Sequence, residues 1–318
     1  MGAALGLVLL GLLPTAAWAQ SPVQSLLEKG EAAGADVELL RTVADRAQKA
    51  GLDDATTADL LQPAVTLAER DLPSSPLLTK TLEGLAKQVP AGRMRPVLQQ
   101  LQAHTQEAGA LVSSWLEQPD VQAFTGASGA TPAERDRLIA NVAEARQQDL
   151  PRATLETFFA QLPEAVERRP VPLSDVSTAV STMPDLPGAR DNPEAAQQLL
   201  SAALDAGYGA ESLRQLPTAL EQAQRGSDRP ASAIARGARQ AIERGTPAAR
   251  VLRTLSRGGV PGAAGPPPGL GDGATGSPPG QGKPPGKDGR PPGAGPPENS
   301  GEGPPADPPN TPPSSGGG

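Results

Sequence analysis

An all-α fold, an array or bundle of short amphipathic helices followed by a disordered tail, is predicted by three observations. Through residues 20–257 apolar side chains recur at three- and four-residue intervals, as in Leu39, Leu40, Val43, Ala44 and Ala47, and again in Leu78, Leu82, Leu85 and Val89. That spacing gathers one stripe on one helix face. Runs of alternating Val, Ile, Thr and aromatic residues, which strands need, are missing from the same stretch. From Gly258 to Gly318 glycine and proline supply more than half of the residues, too little apolar surface to offset the entropy of ordering the chain.

Helix starts are written as a short polar residue followed by proline: Ser21-Pro22, Ser75-Pro76, Thr131-Pro132, Asn192-Pro193 and Thr246-Pro247. The polar side chain can accept a hydrogen bond from a first-turn N–H, and proline at the first helical position lacks only an N–H that has no partner there. Thr131 with Glu134 completes a capping box. Pro63, Pro163 and Pro217 fall inside helical runs, where each either kinks the helix or begins a new short one.

A weak internal echo suggests a three-fold degenerate repeat. Leu39–Gln48, Leu138–Gln147 and the shorter Leu199–Ala206 resemble one another, and each leads to a proline-broken run around Pro63, Pro163 and Pro217. Self-similarity of this kind marks stacked helical units that present a surface. Two stretches rich in small and turn-forming residues, 118–130 and 184–192, read as linkers or long loops. The expected organisation is a leader at 1–19, a helical domain with repeat 1 at 20–118, a linker at 119–130, a helical domain with repeats 2 and 3 at 131–257, and a tail at 258–318.

Residues 2–13 are apolar and lead through Pro14 to Ala17-Trp18-Ala19. This resembles a secretory signal peptide cut before Gln20, although no Lys or Arg precedes the apolar run. A periplasmic or secreted protein is the expectation, without stable membrane insertion after cleavage. The chain has no cysteine, so its fold rests on burial alone in an oxidising compartment. The tail fails the strict every-third-glycine rule of collagen and reads as a partly stiff, solvated spacer.

Candidate chemistry is sparse. His104 is the only histidine and so the one candidate histidine base; set among Gln and Ala, it reads as a solvated or helix-capping residue. Asp53 with Asp54 and Asp36 with Glu38 read as charges complementing helix N-termini, not as metal ligands. Arg93 with Arg95, Arg135 with Arg137 and Arg168 with Arg169 are local basic spots in a chain of net charge −7; they read as surface ion-pair partners, not as a nucleic-acid footprint. Trp115 reads as a core anchor. Phe158 and Phe159 occupy adjacent helix positions, which leaves room for one to face outward; an exposed ring there would be a partner-binding clue.

No catalytic, cofactor-binding or metal site is assigned. The leading functional expectation is a non-enzymatic, exported helical-repeat protein that binds an envelope protein or peptide and uses its tail as a spacer. A structural or stress-related envelope protein without a specific ligand is the alternative, and an enzyme the third class.

Overall fold

The computed structural model describes residues 21–125, 130–165 and 170–261. The leader, Arg168 with Arg169, and the tail beyond Pro261 lie outside the described residues. Within them the chain forms thirteen α-helices and no strand: α1 (Pro22–Ala32), α2 (Val37–Lys49), α3 (Asp54–Ala68), α4 (Ser75–Ala86), α5 (Ala91–Leu116), α6 (Pro119–Thr125), α7 (Pro132–Gln147), α8 (Arg152–Ala165), α9 (Leu173–Thr182), α10 (Pro193–Asp205), α11 (Ala210–Arg225), α12 (Ala231–Glu243) and α13 (Ala248–Ser256).

The helices stack in two rows. In the first, α1 packs on α3, α3 on α5, and so on through α7, α9 and α11 to α13. In the second, α2 packs on α4, and α8 on α10 and α10 on α12, with short α6 touching α5 and α8. Each successive helix of a row packs on the one before it and buries part of its apolar face.

A local device sets this stacking. Six connectors (α1–α2, α2–α3, α4–α5, α7–α8, α10–α11 and α12–α13) are each four residues long. The second residue of each is in the left-handed region: Gly34, Gly51, Gln88, Asp149, Gly207 and Gly245, with φ between 54° and 88°. The N–H after it closes the preceding helix, as in Leu52 to the Ala47 carbonyl at 3.0 Å, Leu150 to Ala145 at 3.1 Å and Tyr208 to Ala203 at 2.9 Å. These are Schellman closures. The third residue is usually apolar and folds toward the core, as Ala35, Leu150 and Tyr208 do; the fourth borders the next helix, with Asp36 and Asp53 accepting hydrogen bonds from Leu39 and Thr56.

The structural period is therefore a helix pair. First-row helices begin at residues 22, 54, 91, 132, 173, 210 and 248, intervals of 32 to 41 residues. Hydrogen bonds tie side chains one period apart: Asn141 Nδ2 donates to the Ser177 carbonyl and hydroxyl at 2.9 and 2.8 Å, and Gln197 Nε2 to Gln161 Oε1 at 2.8 Å, both across 36 residues. The Ala210 N–H donates to Asp175 Oδ1 at 3.0 Å across 35. The three echoed phrases do not follow this period, because the first and third lie on second-row helices α2 and α10 while the second lies on first-row α7.

Other sequence expectations change in detail. α3, α8 and α11 continue through Pro63, Pro163 and Pro217, so none of these prolines starts a new helix, and α5 likewise continues through Pro96. Thr131 forms the expected capping box with Glu134, and Asn192 caps α10. Ser21 instead donates its hydroxyl to Asp54 Oδ2 at 2.6 Å. α4 is bounded by Ser74, not Ser75, and Pro247, not Thr246, occupies the cap of α13. The stretch expected as a linker opens with α6. The 184–192 stretch continues a 3-10 turn at Met183–Asp185 and buries Leu186 and Ala189.

Two sets of buried side chains form. One runs from Leu26 to Leu101 and the other from Ala108 to Leu255, and they part within the 26-residue α5. Leu72 packs against both. Leucine, valine and alanine dominate each set, while the second also holds Trp115, Phe158 and Phe159. The Trp115 and Phe159 ring centroids are 4.9 Å apart and those of Phe158 and Phe159 5.7 Å. Both phenylalanines are fully buried, so neither faces outward: α8 wedges between neighbouring elements, and adjacent positions both meet protein.

Candidate binding surface

The single-residue candidates have structural surroundings. His104 sits half-buried in the middle of α5, between the two sets of core side chains, so it caps no helix. Its Nδ1 is buried without a hydrogen-bond partner. Burial and, next, the Arg146 guanidinium hold its pKa below the ordinary histidine value, partly opposed by Glu107 and Asp149. Arg146 is itself held by the Leu150 carbonyl, to which Nη1 donates at 2.7 Å, and lies 3.8 Å from Glu107. Asp36 and Asp53 are helix caps, and hydrogen bonds from Thr56 lower the pKa of the Asp53 carboxyl. Among the described residues no three His, Asp or Glu side chains are grouped to hold a metal ion.

The arginine pairs divide. Arg95 meets Asp59 of α3 at 2.7 Å, and Arg135 meets Asp71 at 2.9 Å. These are ties between elements, each with exposed partners and hence of small energetic weight. Arg93, in contrast, lines an open groove.

That groove is one of two that meet at Val89. The larger, about 800 Å³, lies between the C-terminal halves of α2 and α4 and the connectors that follow them; Leu52, Leu82 and Val89 give it an apolar floor, with Arg46 and Lys49 beside them. The smaller, about 230 Å³, lies between α4 and α5, with Met94 and Val97 below Lys80, Lys87 and Arg93. Val97 is 43% exposed, the one large apolar side chain so exposed among the described residues. Gly84 opens this space for Met94, because a Cβ there would run into the Met94 sulfur.

The electrostatics are one-sided. Glu83 is the only carboxylate lining either groove, and it accepts hydrogen bonds from Lys87 at 2.5 Å and Lys80 at 2.9 Å. Those two bonds, Lys87 first, hold its carboxyl at a pKa of about 2. Arg46, Lys49 and Arg93 form no ion pair among the described residues. An apolar floor under a rim of uncompensated cations favours a ligand with apolar side chains and carboxylates. A third groove of about 410 Å³ on α3 and α5, lined by Asp59, Gln62, Thr66, Arg95 and Gln99 among others, is polar and internally paired.

The sequence offered Arg93 as a basic spot and Leu82, Leu85 and Val89 as an apolar helix stripe, without joining them into a surface. Its residues come from three helices and two connectors, and the missing signal was the connector pattern itself, which places Leu52 and Val89 at equivalent positions after α2 and α4. Comparison with models of protein families, with curated proteins and with solved structures gives no match to this chain.

Proposed function

We propose that this chain is a non-catalytic helical-repeat scaffold, exported by its leader, that holds an acidic, partly apolar segment of another envelope protein in the joined grooves of α2, α4 and α5. The carrying observation is the apolar lining of two grooves that share Val89, with Leu52 and Leu82 in one and Met94 and Val97 in the other, beside the cations of Arg46, Lys49, Lys80, Lys87 and Arg93. Steering by the cations raises the encounter rate, and burial of the apolar floor supplies the dwell time. The Pro/Gly-rich tail acts as a spacer.

The test compares capture from an envelope extract by the full chain, by a chain ending at Pro261 and by a Leu82→Asp/Val97→Asp chain whose helical content is checked by circular dichroism. A partner held by the first two and lost from the third is expected. Equal capture by all three removes the groove from the function, and loss on truncation alone moves the function to the tail.

A further inference from the structure

Charge is distributed unevenly along the array. Residues 21–225 carry 18 basic and 28 acidic side chains, whereas residues 226–257 carry seven arginines against only Asp228 and Glu243. This reversal falls on α12, α13 and their turns, which among the described residues are the last of the array, with no further helix pair packed on them.

The arginines are placed for contact outward. On α13, Val251, Leu252 and Leu255 are buried, while Arg250, Arg253 and Arg257 are exposed. At 100° per residue these three lie on the face opposite the buried one, and seven residues at 1.5 Å rise spread them over about 10 Å. Arg229 just before α12, Arg236 on it and Arg244 at its C-cap are exposed. None of the six forms an ion pair among the described residues; Arg236 and Arg244 donate only to backbone carbonyls of their own helix. The seventh, Arg239, is taken by Gln198 and by Glu243 at 3.4 Å.

We propose that this end is a docking surface for the phosphates of an anionic phospholipid bilayer. The arginines come from two neighbouring helices and their turns, so their charge spreads in two directions, as a layer of headgroups does. The apolar face of α13 is spent on the core, so contact is by charge at the surface and not by insertion. The one aromatic residue described beyond Phe159, Tyr208, is buried, so no ring is offered for stacking on bases, as single-stranded nucleic acid requires. Acidic side chains further along the array do not cancel the attraction, because charges beyond about 10 Å are screened at ordinary ionic strength. The docking surface is independent of the grooves on α2, α4 and α5.

The full chain is sedimented with phosphatidylcholine vesicles and with vesicles that also contain phosphatidylglycerol, so that binding by the apolar leader shows on both. At least about tenfold tighter binding to the anionic vesicles is expected, lost near 0.5 M salt, where screening acts within about 4 Å. Arg250→Gln/Arg253→Gln/Arg257→Gln is expected to weaken it about a hundredfold, about fivefold per arginine. Arg41→Gln/Arg70→Gln/Arg190→Gln, with the same change in net charge, is expected to stay within about twofold. Equal binding to both vesicles, or equal losses in the two variants, overturns the proposal. Tighter binding to duplex DNA at the same salt, lost in the α13 variant, also overturns it and reassigns the surface to nucleic acid.

Discussion

Gly237 on α12 faces Val260 so closely that a Cβ at Gly237 would lie 2.6 Å from Val260 Cγ1 and 2.9 Å from the Pro261 carbonyl oxygen. Gly226 and Gly258 make a second close approach, where a Cβ on Gly226 would lie 2.7 Å from the Gly258 Cα. The chain after α13 is thus strapped back over α12 before the tail begins. Gly237→Ala is expected to lift this strap while leaving the helices standing, since alanine favours a helix by up to about 1 kcal/mol over glycine. Tryptic cleavage after Arg257 should accelerate about tenfold, the effect of losing roughly 1.4 kcal/mol of local protection, with the thermal midpoint unchanged or slightly raised. Unchanged cleavage would show that the strap does not protect the tail junction.

The connectors offer a paired test of backbone strain. Gly51 has φ +77° and nothing within 4 Å of an added Cβ, so Gly51→Ala isolates the left-handed penalty and should cost about 1–2 kcal/mol. Gln88 occupies the equivalent place after α4 with φ 54°. Gln88→Gly should stabilise by about 0.5–1 kcal/mol, the penalty relieved less the extra unfolded-state freedom of glycine. Chemical denaturation of both variants checks the pair, and the same sign for both would refute the equivalence of the two connectors.

Phe159 is the hub of the aromatic contacts, with Trp115 on one side and Phe158 on the other. Phe159→Ala removes this fully buried ring from between Trp115 and Phe158 and should cost about 3–5 kcal/mol. Its signature is a lower denaturation midpoint together with a red shift of Trp115 emission. A loss below about 1 kcal/mol would mean that the site collapses around the gap.

His104 confers a pH dependence whose sign follows from its surroundings. Burial and Arg146 hold its folded-state pKa below the ordinary 6.5. Above that value both folded and unfolded chains carry neutral imidazole, so His104 contributes no pH dependence there. As pH falls below it the unfolded chain takes up the proton first, and folding stability declines until the folded-state pKa is passed. His104→Gln is expected to lose less stability than the natural chain as pH falls below the ordinary histidine value of 6.5. Parallel losses in denaturation midpoint would remove His104 as the source.

Much of the local structure was legible because its causes are local. The capping box of Thr131 and Glu134 and the caps at Asp36 and Asp53 each depend on a few neighbouring residues. The orientation of Phe158 and Phe159 was not, because which side of a helix is covered depends on elements distant in sequence. The echo around Leu39, Leu138 and Leu199 misled for a related reason: alanine- and leucine-rich helices look alike whichever row they join. The connector that recurs after α1, α2, α4, α7, α10 and α12 serves helices of both rows, and its left-handed residue is glycine in four copies, Gln88 and Asp149 in the others.

By itself the sequence determined that the chain is helical and, in large part, where its helices begin, since a 3.6-residue apolar rhythm and the satisfaction of first-turn N–H groups are settled within a few residues. Tertiary structure alone decided that the helices stack in two rows, that Val89 and Val97 lie along joined grooves rimmed by lysine and arginine, and that Arg250, Arg253 and Arg257 turn away from the core on the last described helix pair. Those outcomes depend on which helix covers which face, and similar amphipathic helices distinguish their neighbours only by packing against them.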